Sequence, residues 1–215
     1  MSKPSEFHVG ILGFLAVLLP GAIGVAVAAP VLKTKVLEAI MPMPEDDLAV
    51  RWALFLVTAY VLGHLLFLAG AYLDGLYNYV RKKRKEEGHE KAFNCATSIK
   101  EKFLGPDERS AANTFQWARA LLTALFPQAA GDIHTLEAES KFFRSLFVVL
   151  AFATVLFLVQ GKLWEALFCG VLIGPCFARY YDQRRKSTTR AYLYVITLHR
   201  LGKLAMGSAP SEPAP

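Results

Sequence analysis

Four apolar runs, Val9–Ala29, Trp52–Leu73, Ser145–Gln160 and Leu163–Tyr181, cut this chain of 215 residues into alternating apolar and polar stretches. A helix crosses roughly 30 Å of hydrocarbon with about 20 residues, and each run is near that length. Inside a bilayer the backbone finds no water, so a spanning segment must satisfy its own hydrogen bonds as a helix. The expected fold is all-α: an integral membrane protein with four transmembrane helices and a small cytoplasmic helical region.

The charges orient that chain. Of the 24 Lys and Arg residues, only Lys33, Lys35, Arg51 and Lys162 fall between the first and second runs or between the third and fourth. The other twenty lie in the two terminal segments and the long middle segment, counting Arg179 at the inner end of the fourth run with the C-terminal segment. Cytoplasmic flanks hold Lys and Arg in excess, so both termini and the middle segment are expected in the cytoplasm and the chain in a plasma (bacterial inner) membrane. The run Arg81-Lys82-Lys83-Arg84-Lys85 directly follows the second span and reads as a topology anchor on anionic headgroups. No aromatic residues interleave it, so the net charge of +6 does not point to a nucleic-acid partner. Cys95, Cys169 and Cys176 form no disulfide framework. The segments VLLPGAIG and RYYDQRRKSTTRAY are similar to stretches of small bacterial membrane proteins, a likeness that assigns no residue role.

Five regions follow. Residues 1–80 hold the first two spans and a short outer loop, in which Lys33 to Met41 read as interfacial helical turns. Pro42, Pro44 and the acids Glu45, Asp46 and Asp47 then start a second helix, expected to run unbroken from Leu48 to about Glu87. Residues 81–143 are cytoplasmic helices: Phe93, Ala96, Ile99 and Phe103 recur at helical spacing before Gly105-Pro106, and Phe115, Ala118, Leu122 and Leu125 follow on a second face. Asp132 reads as the cap of the helix entering the third span. Residues 144–181 form a transmembrane hairpin closed by Gly161-Lys162, 182–206 a cytoplasmic C-terminal helix, and 207–215 a disordered tail. Ala26-Val27-Ala28 before Ala29 has the form of a signal-peptidase site, but the long run with Pro20-Gly21 at its centre reads as a retained span.

Several positions stand out chemically. His64 lies near the centre of the second run, where an ionisable group either bonds to a neighbouring helix or serves a relay, ligand or gate. Asp74 sits at the inner end of that run, placed for an ion pair with Arg81, Arg144 or Arg179, or for attracting a cation. Ala166, Gly170, Gly174 and Ala178 repeat every fourth residue, a small-residue stripe for helix packing within one copy or between copies, and Pro175 follows as a kink point. Arg179, Arg184, Arg185, Lys186 and Arg190 gather beneath the membrane as headgroup contacts, or as an anion or nucleotide site shared with the extension of the second helix. His89 and His134 have no metal-ligand spacing, so no metal, cofactor or catalytic residue is expected.

These features point to a non-enzymatic, polytopic inner-membrane protein in the lipid bilayer. It is expected to be a homo-oligomeric sensor or pore-forming effector coupling cytoplasmic helices, and any cytoplasmic protein partner, to the membrane. The alternative is a carrier or enzyme acting on an amphiphilic or phosphate-bearing substrate. Topology is directly checkable: alkaline phosphatase inserted at Lys162 is expected to be active, and inserted after Leu204 inactive. Activity at both positions would overturn the charge assignment.

Overall fold

The computed structural model describes residues 4–32, 48–84, 87–104 and 112–204. The outer-loop turns at 33–41, the prolines and acids at 42–47, Lys85, the Gly105-Pro106 stop and the tail 207–215 lie outside them. The described residues form seven helices and no strand: α1 (Pro4–Leu32), α2 (Leu48–Gly70), α3 (Leu73–Arg84), α4 (Glu87–Phe103), α5 (Thr114–Leu125), α6 (Pro127–Val159) and α7 (Leu163–Arg200). Three stretches, Leu48–Arg84, Pro127–Val159 and Leu163–Arg200, are long and apolar enough to cross a membrane. In α1 the apolar stretch Gly13–Ala29 is shorter.

The chain divides into two compact units. One comprises residues 1–80 and 137–183, the other 81–136 and 184–215, so α6 and α7 each supply residues to both.

In the first unit, α1 and α2 approach until their backbones touch. A Cβ on Gly21 would stand 1.8 Å from the Ala59 carbonyl oxygen, and one on Gly63 would stand 2.2 Å from that of Val17. No side chain fits at either place. Small residues let helix backbones close in where lipid supplies no hydrophobic push. Phe14 and Tyr60 stack beside this contact with ring centroids 5.8 Å apart.

The second helix is not unbroken. After Gly70 the Ala71 and Tyr72 amides bond back three residues, to Leu68 and Ala69, instead of four. This step releases the Phe67 carbonyl, which accepts from the Arg144 guanidinium at 3.5 Å. A Cβ on Gly70 would lie 2.9 Å from Cγ of Arg144, so glycine makes room for the arginine that occupies the break.

Two further boundaries differ from the sequence reading. Asp132 is not a cap, because α6 already starts at Pro127, whose fixed φ suits a first helical position. The C-terminal helix is not separate either: α7 runs from Leu163 to Arg200 through Pro175 and the charged stretch after Asp182. The polar residues there favour a helix as well as apolar ones do, so a change of polarity is not a change of conformation. The α6–α7 turn does follow the glycine. Gly161 adopts φ +73°, the Lys162 amide bonds to Phe157 and the Gly161 amide to Leu158, closing the helix end in the left-handed form.

The second unit has its own core, with Ala96, Ile99, Ala118, Leu122, Ile133 and Val195 at its centre. These come from α4, α5, the start of α6 and the end of α7. Asn113 starts α5 with a capping box: its side chain accepts from the Gln116 amide at 2.8 Å while Gln116 Oε1 accepts from the Asn113 amide at 3.3 Å. Thr97 and Thr114 hydroxyls meet at 3.0 Å, and buried Lys100 donates to the Ala112 carbonyl.

The backbone contact in the first unit predicts a sharp positional effect. Gly63→Val should cost about 2 kcal/mol or more in stability, because the helices must part. Gly13→Val, where a Cβ meets nothing within 4 Å, should cost little. Thermal unfolding in detergent followed by a thiol-reactive dye would show it, and equal melting of the two variants would contradict the close packing.

Candidate functional site

Two constellations of polar side chains stand out, one in each unit. In the first, α6 brings Arg144 into apolar surroundings, where only 7% of it is exposed. A charge in such a place must be answered by opposite charge and hydrogen bonds. Asp74 on α3 supplies the charge, with Oδ1 3.4 Å from the guanidinium. Tyr180 on α7, fully buried, donates to the same oxygen at 2.7 Å. The Phe67 ring lies 4.4 Å beneath the guanidinium, a cation–π contact that adds to the bond from the Phe67 carbonyl. Tyr77 and Tyr181 pack alongside, their ring centroids 5.2 Å apart. This arrangement is a neutralised, multiply bonded charge pair that ties α2, α3, α6 and α7 together.

The other residues singled out in the sequence are dispersed. His64 is exposed on α2, its ring edge-on to Tyr60 at 4.5 Å, and is separate from the Asp74 cluster. Arg179 pairs with Glu139 at 3.6 Å on the surface of the first unit and does not line the recess that Arg185, Lys186 and Arg190 share. Of the small-residue stripe, Ala166 is buried, and a Cβ on Gly170 would meet a Thr154 methyl group at 3.8 Å. Its other half is open: Ala178 is exposed, and a Cβ on Gly174 would meet nothing within 4 Å. Arg81, Lys82, Lys83 and Arg84 form the last turn of α3.

The second constellation is a recess of about 380 Å³ in the second unit, lined by Gly88, His89, Arg185, Lys186, Thr189 and Arg190. Helical geometry explains the convergence. Arg185 and Thr189 are one turn apart on α7, as are Lys186 and Arg190, so the four form two adjacent rows on one side of the helix. Gly88 and His89 belong to the first turn of α4, and His89 Nδ1 lies 2.8 Å from the Thr189 hydroxyl. Tyr192 stands by the imidazole with ring centroids 5.9 Å apart. Three of the six lining residues are Arg or Lys, and none is acidic.

No family model, curated protein or solved structure matches this chain. Function must therefore be argued from these sites. Among the described residues no group of three His, Cys, Asp or Glu side chains could hold a metal ion.

Of the residues lining the recess, Arg185, Lys186 and Arg190 were legible in the sequence as a basic cluster. Gly88, His89 and Thr189 were not, because about a hundred residues separate His89 from its partner. The available signal was the row spacing in Arg185-Lys186-Ser187-Thr188-Thr189-Arg190, which puts Thr189 among the bases.

The Asp74 cluster generates a graded prediction. Tyr180→Phe removes one charge-assisted bond and should cost about 1.5 kcal/mol. Asp74→Asn leaves the arginine without its counter-charge and should cost more, about 2–3 kcal/mol, moderated because Asp74 retains access to its surroundings. Melting temperatures of the purified variants check the order, and a Tyr180→Phe loss exceeding that of Asp74→Asn would refute the assignment of the carboxylate as the centre.

Proposed function

We propose that this chain is a non-enzymatic membrane protein with four spans, α1 being the fourth, and that it works as a homo-oligomeric sensor or pore-forming effector. In this reading both ends and the second unit are cytoplasmic, on the side favoured by twenty of the 24 basic residues. The observation that carries it is the sharing of α6 and α7 by both units. An event that shifts these helices in the polar unit acts on the same backbones that enter the apolar unit. Shifts of packed helices between discrete arrangements are one recognised form of conformational switch.

The partner surface is the open half of the α7 stripe. Gly174 and Ala178 leave room for a second helix, while Leu167, Phe168 and Val171 expose apolar side chains on the same helix. In a bilayer these meet lipid or another copy of the chain, and small residues favour the copy.

The decisive measurement is the mass of the detergent-solubilised complex, with leakage of a dye from vesicles as the activity readout. A discrete oligomer that Gly174→Leu converts to smaller species, with leakage lost in parallel, is expected. A single-copy mass unchanged by Gly174→Leu, with tight vesicles, would remove the oligomeric sensor reading.

A further inference from the structure

We propose that the recess between the first turn of α4 and the basic rows of α7 is a binding site for a phosphomonoester group. It supplies the ligand for the sensor just described and rests on that reading for its role in signalling.

Three independent features of the recess point to phosphate. First, the two rows bring Arg185, Lys186 and Arg190 to one cavity, and guanidinium and ammonium groups are the side chains that best hold a phosphate dianion. Secondly, the opposite wall is the start of a 17-residue helix, whose positive dipole end favours an anion there. The acids of that turn are directed elsewhere: Glu87 pairs with Lys91 at 3.5 Å, and Glu90 is exposed without lining the recess. Thirdly, hydrogen-bonding groups are already positioned, since the bond between His89 and Thr189 fixes imidazole and hydroxyl side by side at the wall.

Size narrows the ligand. A volume of about 380 Å³ is near the lower end of small-molecule sites and exceeds what a bare phosphate ion fills. A phosphate ester with a small organic body fits, either free in solution or as the headgroup of a phosphatidate-type lipid. Gly88 contributes to the room, because a Cβ there would meet nothing within 4 Å.

That open position supplies a test that does not depend on removing charge. Gly88→Leu places a side chain into the recess while strengthening α4, since glycine is the poorer helix former. Lys186→Gln and Arg190→Gln are the charge variants, and both residues are exposed, so the fold survives their loss. The full-length protein in phosphatidylcholine nanodiscs is titrated calorimetrically with inorganic phosphate and glycerol phosphate, with glycerol as the neutral control. In parallel, discs containing phosphatidic acid are assayed for retention of that lipid.

Glycerol phosphate binding that weakens about tenfold or more in each charge variant, and disappears in Gly88→Leu, would establish a soluble ligand. Retention of phosphatidic acid by the parent protein alone, without heat from the soluble probes, would establish the headgroup. Binding of neither, or binding equal in parent and variants, would overturn the site. Binding with no change in complex mass or vesicle leakage would uphold the site and remove the sensor reading instead.

Discussion

A guanidinium buried among apolar helices is the constraint around which the first unit is arranged. A buried guanidinium must be met by partners, and the surrounding chain meets Arg144 with a carboxylate, a carbonyl and an aromatic face. Asp74 on α3 and the carbonyl and ring of Phe67 on α2 do so, and they draw two helices to the arginine of a third. The break after Gly70 belongs to the same arrangement. A regular helix would keep the Phe67 carbonyl for its own amide four residues on, and a larger residue at 70 would collide with the arginine stem. Tyr180 adds α7 to the group through the shared Asp74 oxygen.

The second unit is built by a different force. Its centre is a set of small and medium apolar side chains drawn from four helices. Polar contacts there finish edges: a capping box begins α5, and a threonine pair and Lys100 secure the ends around it. Two units with such different cohesion share α6 and α7 because a helix backbone is indifferent to its surroundings, provided its side chains change from apolar to polar along its length.

The long apolar runs and the Gly161 turn were readable because each rests on a local rule, length in one case and a left-handed backbone in the other. The helical faces of α4 and α5 were readable in part. Ala96, Ile99, Ala118 and Leu122 are buried as their spacing implies, whereas Phe93 and Leu125 are exposed, because a large apolar residue at the margin of a face need not be covered. The interruption at Gly70 was not readable, since its cause is an arginine 74 positions away. The recess was half legible for the same reason: one wall is a local pattern of bases on α7, and the other comes from a distant helix start that only tertiary packing can supply.

The Gly161 turn also bears on how the chain is made. With only Gln160 to Lys162 between them, α6 and α7 are too closely tethered for either to enter a bilayer long before the other. The apolar part of α7 opens with Glu165 in its first turn, whereas the final stretch of α6 carries no charge after Arg144. If the pair crosses a bilayer, so short a turn obliges the two helices to do so as one hairpin, and the more polar helix never has to partition alone.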